Sequence, residues 1–536
     1  YGSFASAVSG IEQEQVLEND ELKITFSNKG GVIKHVLLKN FQTYTKQPLY
    51  VIASDYHKFE LSIPAGSGVT NISELFYSSS LNVSADKKSL TFRLAISPEK
   101  YIEHVYSLNN KGFELQYNIV AKGFENEFKG KQASINWLEQ FQNTEKDVVE
   151  ARKTANVTYR TFETGFHSLS ETKTELQEEK IENKINWVVF KQKFFSAGLI
   201  ADNGFTGGTV TSSVDVASTT TVKNFSASLG FPAENLQNGK SSFKFYFGPN
   251  KLGIVKGVAP DFDENVYLGW PVINTINRYT IAPLFSLLEK VFSNYGIIII
   301  FMVLIIKLIL LPLSFQSYKS MAKIKVLKPE IDEIKARVGD DMTAMQQEQM
   351  KLYQQVGVSP LSGCIPVLLQ MPVLLAMFNF FPNAIDLRQK SFLWAEDLST
   401  YDSVFNLPFT IPFYGDHVSL FTLLMTASTI LYTWYNNQTN VSATGPMIAM
   451  SYIMPVVFLF VLNSFPAGLS FYYFVSNMIT IGQQFVIKLF VDEKEIREKL
   501  DHNKKNFANK KPNRFQQRLM EAMEQQKEMK KKQTKK

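Results

Sequence analysis

The hydrophobic and polar positions of this 536-residue chain follow three different patterns along its length. Residues 1 to about 260 are polar overall and contain short alternating segments, whereas residues from about 293 to 490 are mostly apolar. The last 46 residues are polar and basic. The mean hydropathy of -0.09 averages over these regions and describes none of them, so we expect more than one kind of domain.

The first region alternates in the way expected of half-buried β-strands. The segments ELKITF, SLTFRLAI, FELQYNIV and SFKFYF are of this kind, with turn residues such as SNKGG and SLNNKG between or after them. About twelve to sixteen such segments predict a large antiparallel β-sandwich over residues 17–258, preceded by a linker over residues 1–16. Tyr1 is not a methionine and no apolar segment precedes the sandwich, so we expect an upstream signal or membrane span.

Residues 270–292 contain INTINRYTIAPLFSLLEKVF, a pattern that predicts an amphipathic helix with Pro283 in its first turns. A helix of this kind suits the membrane interface, and a soluble linker helix is the alternative. The apolar residues expected on one side are Ile276, Ile281, Leu284, Leu287, Leu288 and Val291.

Five apolar stretches in the second region approach the roughly 20 residues that cross the hydrocarbon core of a membrane. The predicted fold class is therefore an all-β domain followed by a multi-span α-helical membrane bundle over residues 293–490. The predicted spans are residues 294–315, 362–382, 418–435, 447–463 and 466–490.

Lysine and arginine in the short loops predict how these spans are oriented. Four lysines between residues 319 and 328 follow the first span, which places that end in the cytoplasm. The connection 383–417 carries five Asp/Glu against two Lys/Arg, which suits the outside, and the tail 491–536 is basic. We therefore expect an external β domain and a cytoplasmic C-terminus.

Residues 316–358 predict a cytoplasmic helical hairpin between the first two spans. Two helical patterns flank VGDD, where Gly339 suits a helix end and Asp340 or Asp341 suits an N-cap. The cations of the hairpin form either a solvated face or a docking surface. One apolar stripe is expected at Ile324, Leu327, Ile331, Ile334 and Val338, facing Met342, Met345, Met350, Leu352 and Tyr353, and the cations are Lys323, Lys325, Lys328 and Arg337.

The residues that usually carry catalysis are sparse. The single cysteine, Cys364, excludes an internal disulfide, and its LSGC context lies mid-chain, where a small residue near a span is a better interpretation than a lipoprotein cleavage site. His35, His57, His104 and His167 are scattered, and the β domain has no metal-ligand cluster, nucleophile elbow or phosphate loop in its sequence. We therefore expect no enzyme activity, metal or cofactor.

Lys307 lies near the middle of the first predicted span, in IIIIFMVLIIKLILLPL. A lysine at a span centre costs roughly 2.5–3.5 kcal/mol and usually faces a bundle interior or a wet cavity. The alternative is that its stem snorkels to the cytoplasmic boundary, which lies about 12 Å away along the helix, a long reach for that stem. The sequence favours the wet cavity.

Polar residues of the other spans indicate a groove shared with Lys307. Hydroxyl and amide side chains also serve as ordinary contacts between helices, so no single one is decisive. The span interiors contain no Asp or Glu, which ion-driven transporters usually have, and the sequence has no ATP-binding loop. The candidate groove residues are Gln370, Thr426, Thr429, Ser476 and Gln483, with Ser428, Thr433, Asn477, Thr480 and Gln484 near them in sequence.

A positively charged, hydrated groove without an energy source suits a membrane protein insertase. Burial of about 20 apolar residues drives a substrate segment into lipid, and a wet, locally thinned route lowers the barrier for its polar end. A small-solute or lipid transporter is the alternative. A membrane-anchored external binding module is a third hypothesis, although five spans with a buried lysine exceed what anchoring needs.

The chain resembles the YidC-type membrane protein insertases of the YidC/Oxa/Alb family, in the long form with a periplasmic domain. The resemblance covers nearly the whole chain and is carried by KLILLPLSFQSYKSMAKIKVLKPEI, GCIPVLLQMPVLLAMF and FPAGLSFYYFVSNMITIGQQ. It implies a periplasmic β supersandwich, a multi-pass protein of the bacterial inner (cell) membrane, and a first span removed or omitted from this sequence. It also implies that nascent membrane proteins are inserted and helped to fold.

The resemblance further implies roles for individual positions. Lys307 stands where the family commonly has a groove arginine, and Gln370 would line the groove. Leu374, Tyr472 and Tyr473 would lie along a hydrophobic slide for the substrate, although the family often has an aromatic residue where Leu374 stands. The tail, with 15 Lys/Arg against 8 Asp/Glu from residue 491 on, would bind the ribosome or anionic membrane lipids. The Sec translocon is a further implied partner.

Overall fold

The computed structural model describes residues 2–66, 68–339, 341–358, 365–439 and 445–505, and it divides into two compact units. The β unit comprises the described residues up to Tyr267 together with Asn383–Asp386. The helical unit comprises the remaining described residues.

Nineteen strands in the described part of the β unit form three antiparallel sheets. The strands are β1 Glu14–Glu18, β2 Leu22–Ser27, β3 Val32–Gln42, β4 Pro48–Ile52, β5 His57–Ala65, β6 Gly68–Asn71, β7 Ser78–Val83, β8 Lys87–Ala95, β9 Tyr101–Asn109, β10 Glu114–Lys122, β11 Gln132–Gln142, β12 Asn156–Thr161, β13 Gly165–Ser168, β14 Gln177–Ile181, β15 Ile185–Lys191, β16 Phe195–Phe205, β17 Gly207–Ser213, β18 Thr221–Pro232 and β19 Ser242–Pro249. The four-stranded sheet has the order β1-β2-β3-β4. The nine-stranded sheet has the order β13-β12-β15-β16-β19-β10-β9-β8-β7, and the six-stranded sheet has the order β14-β17-β18-β11-β5-β6. Three short helices accompany them: α1 Glu125–Phe128, α2 Val148–Thr154 and α3 Leu252–Val255.

The two larger sheets pack through aromatic side chains. Trp137 on β11 meets Phe190 on β15 with ring centroids 4.2 Å apart, and Phe59 on β5 meets Phe245 on β19 at 5.5 Å. These contacts confirm the predicted antiparallel β-sandwich. The strands outnumber the expected segments because four-residue strands such as β6 are too short to show a clear alternation.

The first sixteen residues, expected to be a linker, instead belong to the β unit. Phe4 is 2% exposed and stacks on Phe124 with ring centroids 6.2 Å apart. The Phe76 amide donates to the Ala7 carbonyl at 2.8 Å, and β1 already begins at Glu14. Apolar residues are too few here to form a periodic pattern, so these long-range contacts were not visible in the sequence.

The helical unit contains eleven α-helices and one two-stranded hairpin in its described part. The elements are α4 Pro271–Ile276, a π-helical turn Asn277–Ile281, α5 Ala282–Glu289, α6 Tyr295–Ile309, α7 Leu311–Val326, α8 Lys328–Val338, α9 Met342–Val356, α10 Ile365–Asn383, β20 Phe405–Ile411, β21 Gly415–Val418, α11 Leu420–Thr439, α12 Gly445–Leu462, α13 Ala467–Leu489 and α14 Glu493–Lys505. Cys364 lies outside the described residues.

The amphipathic segment before α6 is helical, and the chain itself buries only part of its predicted apolar side. Leu287 and Val291 are 59% and 69% exposed, and the helix ends at Glu289. Leu287 and the buried Leu288 both lie in α5 after the π-helical turn, so the apolar stripe is wider than the face that the chain itself covers. The buried residues are Ile273, Asn277, Ile281, Phe285 and Leu288.

The first predicted span is bent. Helices α6 and α7 meet at Leu310 with an angle of 62°. Pro312 in the first turn of α7 is the cause, because its ring excludes a continuous helix and it has no N–H to donate. The sequence contained this signal, because Pro312 lies within the predicted span 294–315.

Within the described residues, no single helix is both long and apolar enough to pass as a membrane span on those two criteria. Two bent pairs pass together: α6 with α7, and α13 with α14, the second bent by 70°. Residues 448–462 of α12 are apolar over a shorter length.

The expected helical hairpin is formed by α8 and α9, and a third helix, α14, packs against it. Gly339, with φ 65°, ends α8, and the Asp341 carboxylate caps α9 by accepting from the amides of Thr343 and Ala344 at 2.9 and 3.0 Å. Residues 493–505, expected to be part of a separate tail, form α14. Its Ile496 and Leu500 join the cluster of Ile324, Leu327, Ile331, Ile334, Leu352 and Tyr353.

His104 on β9 is a buried titratable group in the sandwich. Its side chain is 1% exposed, and its Nδ1 lies 2.8 Å from the Tyr117 hydroxyl. Burial lowers the pKa of the imidazole to about 3, from an ordinary value of 6.5. The folded chain therefore keeps His104 neutral under conditions in which the unfolded chain protonates it.

Acidification should destabilise the sandwich through His104. Below pH 6.5 only the unfolded state binds the extra proton, which removes about 1.4 kcal/mol of stability per pH unit down to pH 3. Between pH 7 and 5, the original chain should lose about 2 kcal/mol more than a His104→Gln variant. Hydrogen exchange of the β9 and β10 peptides in the full chain measures this difference, and equal losses in the two proteins would contradict it.

Candidate functional site

Lys307 lies in the last turn of α6, where the helix is interrupted. The residue is 6% exposed, and its ammonium makes no hydrogen bond or ion pair with the described part of the chain. The missing N–H of Pro312 leaves the Leu308 carbonyl, next to Lys307, without its regular helical donor. The Gln483 amide on α13 donates to the Lys307 carbonyl at 3.2 Å, so α13 contacts the backbone of the interrupted turn.

A second polar contact joins α11 to α13. The Asn477 amide on α13 donates to the hydroxyls of Ser428 at 3.0 Å and Thr429 at 2.8 Å. Both hydroxyls donate in turn to the Met425 carbonyl of their own helix, at 2.8 and 2.7 Å. Thr429, a predicted groove residue, therefore takes part in the contact between α11 and α13.

The other predicted groove residues take different places. Thr426 is buried and donates to the Thr422 carbonyl of its own helix at 2.9 Å. The side chains of Ser476 on α13 and Gln370 on α10 are partly exposed and make no hydrogen bond with a described residue. The described contacts thus bring Gln483 to Lys307, while Thr426 and Thr429 belong to the α11 side.

The residues of the predicted slide lie on α10 and α13. Tyr472 is 4% exposed and packs on Phe381 of α10, with ring centroids 5.6 Å apart. Its neighbour Tyr473 is partly exposed, as is Leu374 on α10. Tyr472 therefore stabilises the contact between the two helices, whereas Tyr473 and Leu374 are accessible.

The two parts of the chain match two family models. The model described as "60Kd inner membrane protein" matches residues 287–495, and "YidC periplasmic domain" matches residues 14–281. A Membrane protein insertase YidC from Amoebophilus asiaticus is 45% identical, over 97% of this chain and 88% of the relative. Its counterpart from Cytophaga hutchinsonii is 48% identical, over 98% and 87%. The chain belongs to the YidC family of membrane protein insertases.

A solved structure of an active YidC insertase, with its first transmembrane domain resolved, is also similar. The sequence identity is 19%, the match covers 88% of this chain and 92% of that chain, and the TM-score is 0.36. Membership of the YidC family rests on the sequence matches and makes this chain a multi-pass inner-membrane protein with a periplasmic domain.

In this YidC-family chain, a buried carboxylate fixes the start of α11. Asp402 is 4% exposed and accepts from four donors. These are the Trp394 indole N–H at 2.8 Å, the Ser419 hydroxyl at 2.5 Å, and the amides of Leu420 and Phe421 at 2.9 and 3.1 Å. The sequence interpretation used Asp402 only as a sign of an external loop and missed this cap, because its partners are far apart in the chain.

The connection between α12 and α13 is fixed to the same region. Asn463 is fully buried, and its amide donates to the carbonyls of Tyr414 and His417 at 2.9 and 2.8 Å. Its own Oδ1 accepts from the Ser419 amide at 3.1 Å. The polar groups at this end of the helices are thus satisfied by one another, in contrast to the Lys307 ammonium.

Two of the four predicted hairpin cations form ion pairs with described residues. Lys325 contacts Glu493 of α14 at 2.7 Å, and Arg337 contacts Glu348 of α9 at 2.9 Å. Lys328 is exposed, and Lys323 lines a cleft between α7 and α14. Lys325 therefore helps to hold α14 on the hairpin, a contact between residues too distant in sequence to be predicted.

Asn477→Ala should weaken the α11–α13 contact, because it removes two hydrogen bonds between the helices. The expected loss is about 1 kcal/mol of unfolding free energy in detergent. The matched control is Thr480→Ala, since the Thr480 hydroxyl donates only to the Ser476 carbonyl of its own helix, at 2.6 Å. Equal losses in the two variants, measured by denaturant titration, would contradict this assignment.

Proposed function

We propose that this chain inserts nascent inner-membrane proteins, and helps them fold, through a hydrated groove around Lys307. The observation that carries the proposal is the state of the lysine, which is 6% exposed without a described partner. An ammonium in this state attracts water and acidic or polar groups, because burial without a partner is unfavourable. It is therefore suited to receive the polar end of an entering segment.

Insertion of this kind needs no nucleotide. A substrate segment of about 20 apolar residues gains free energy by leaving water for lipid. The barrier is the passage of the attached polar end through hydrocarbon. A groove that holds water and one positive charge lowers that barrier, while the apolar segment moves past the accessible Tyr473 and Leu374 into lipid.

The proposed membrane arrangement places α6, α10, α11, α12 and α13 in the bilayer, the β unit in the periplasm and the C-terminus in the cytoplasm. Exposed apolar side chains cover several sides of α12, which is unfavourable in water and normal in lipid. The lysines after α6 and the acidic residues between α10 and α11 support the orientation. The exposed apolar residues of α12 are Met450, Ile453, Met454, Val456, Val457, Phe458, Phe460 and Val461.

The proposed groove opens towards the cytoplasm and is closed at the opposite end. Lys307 and Gln483 lie towards the cytoplasmic hairpin in chain order, with Gln370 and Ser476 as further lining residues. At the periplasmic end, Asp402 and Asn463 satisfy the backbone and side-chain polar groups around them. A substrate end would therefore enter a polar space from one side only.

The proposed partners follow from charge. Residues 506–536 contain ten Lys/Arg and three Asp/Glu, which suits binding to ribosomal RNA phosphates or to anionic lipid. The ribosome is the preferred partner for an insertase of nascent chains. Cooperation with the Sec translocon is also proposed, on the basis of family membership.

Lys307→Ala should impair insertion of substrates whose translocated ends are acidic. The expected loss is on the order of tenfold, because a charge pair in such a site contributes about 1–4 kcal/mol. Substrates with uncharged ends should change by about twofold or less. Protease protection of the two substrate types in proteoliposomes measures both effects.

Two control variants accompany this prediction. Lys307→Arg keeps the charge and should retain insertion of both substrate types. Lys488→Ala removes an exposed lysine at the end of α13 and should leave the discrimination unchanged. Equal losses for acidic and uncharged ends in Lys307→Ala would refute the role of the groove charge.

A further inference from the structure

A β-hairpin with exposed aromatic residues precedes α11. Its strands β20 and β21 form a separate two-stranded sheet. Phe405, Phe409 and Phe413 are 61%, 60% and 93% exposed. Residues 404–414 contain no charged residue. An uncharged, aromatic surface of this kind requires a covering, since isolated apolar hairpins in water are unstable and prone to association.

Phe413 lies at the exposed tip of the hairpin in a strained backbone conformation. The turn is closed by the Tyr414 amide, which donates to the Ile411 carbonyl at 3.1 Å. Phe413 follows Pro412 and has a φ of 66°, in the left-handed region that favours glycine and strains a bulky residue. Strain retained at a fully exposed phenylalanine indicates that the side chain, rather than the turn, is needed there.

Two observations favour lipid over a protein strand as the covering. Pro408 and Pro412 have no N–H, and the register of β20 with β21 is irregular between Asn406 and Ile411, so an added strand could not form a continuous ladder. In addition, β21 ends at Val418 and α11 begins at Leu420, so the hairpin lies at the end of a proposed membrane helix. Aromatic side chains favour this interface.

We propose that residues 404–418 form a membrane anchor whose phenylalanines insert into the periplasmic interface of the bilayer and set the depth of the helical unit. The inference rests on the membrane arrangement proposed above. Asn463 holds the turn through the Tyr414 carbonyl and β21 through the His417 carbonyl, so the anchor is fixed next to the end of α12. Insertion of the tip therefore determines where α11 and α12 begin relative to the headgroups.

The test measures the surroundings of single fluorescent probes in the full chain. Cys364→Ser removes the only native cysteine, and Phe413→Cys carries an environment-sensitive nitrobenzoxadiazole label. Leu81→Cys on β7 is the aqueous control, and Phe458→Cys on α12 is the lipid control. The labelled chains are reconstituted in phosphatidylcholine–phosphatidylglycerol liposomes with spin-labelled lipids in the bilayer or iodide in the water.

The probe at position 413 should be quenched several-fold more by lipids labelled near the headgroup than by iodide, as only a membrane-inserted tip allows. The probe at 81 should show the reverse. If the probe at 458 is quenched by lipid while the probe at 413 is quenched by iodide, as the probe at 81 is, the anchor is overturned and the membrane arrangement stands. Iodide quenching at both 413 and 458 would overturn both. Shielding of 413 only after a second protein is added would identify a protein-docking surface and would also overturn the anchor.

A second experiment tests whether the hairpin sets the depth of the helical unit in the bilayer. Phe405→Ser, Phe409→Ser and Phe413→Asn are combined, since asparagine tolerates a positive φ and preserves the turn. The depth of the 458 probe, obtained from lipids labelled at different acyl positions, should shift by a measurable fraction of the acyl chain. The matched control is Phe162→Ser on the β unit, where Phe162 is 45% exposed. An unchanged depth in the triple variant would overturn the depth-setting role.

Discussion

An ammonium group without a partner is the constraint on which the helical unit depends. Lys307 is buried at the last turn of α6, where no described residue neutralises it. Such a group must be hydrated or must meet an anion from outside the chain. The bend at Leu310 and the donor from Gln483 shape the turn around it, so the neighbourhood of the charge is ordered although the charge itself is not paired.

Buried polar side chains have hydrogen-bond partners at one end of the helical unit, whereas the buried Lys307 at the other end has no described partner for its ammonium. Asp402 receives four donors and Asn463 three described backbone contacts, so this end is a closed polar network. Lys307 has no counterpart of this kind among the described residues. This asymmetry is the basis for proposing a groove that admits polar groups from one side. Asn477 links α11 to α13 by two hydrogen bonds and so holds these two helices together.

The parts of this structure that could be predicted from sequence are those set by neighbouring residues. The alternation in the first region identified the sandwich, and Gly339 with Asp341 identified a helix end and a cap, because caps involve residues within one turn. Pro312 also carried a local signal that the first span is bent. Which part of the apolar side of α5 the chain itself covers was not visible, because it depends on contacts with distant residues such as that of Phe285 with Phe380.

The contacts that define the candidate site are long-range. Lys307 and Gln483 lie 176 residues apart, and Asn477 and Ser428 lie 49 apart, so only the polarity of these residues was visible. The joining of α14 to the hairpin, through Ile496 and Leu500, was hidden for the same reason.

Reconstitution of the purified full chain in liposomes tests the central claim most directly. A single-span nascent substrate is released from translation, nucleotide is removed with apyrase, and the membrane-protected fragment is measured after protease treatment. A hydrated groove around Lys307 predicts a protected fragment well above that in protein-free liposomes, with no nucleotide present. A protected fraction equal to that of the protein-free liposomes would contradict insertion by this chain.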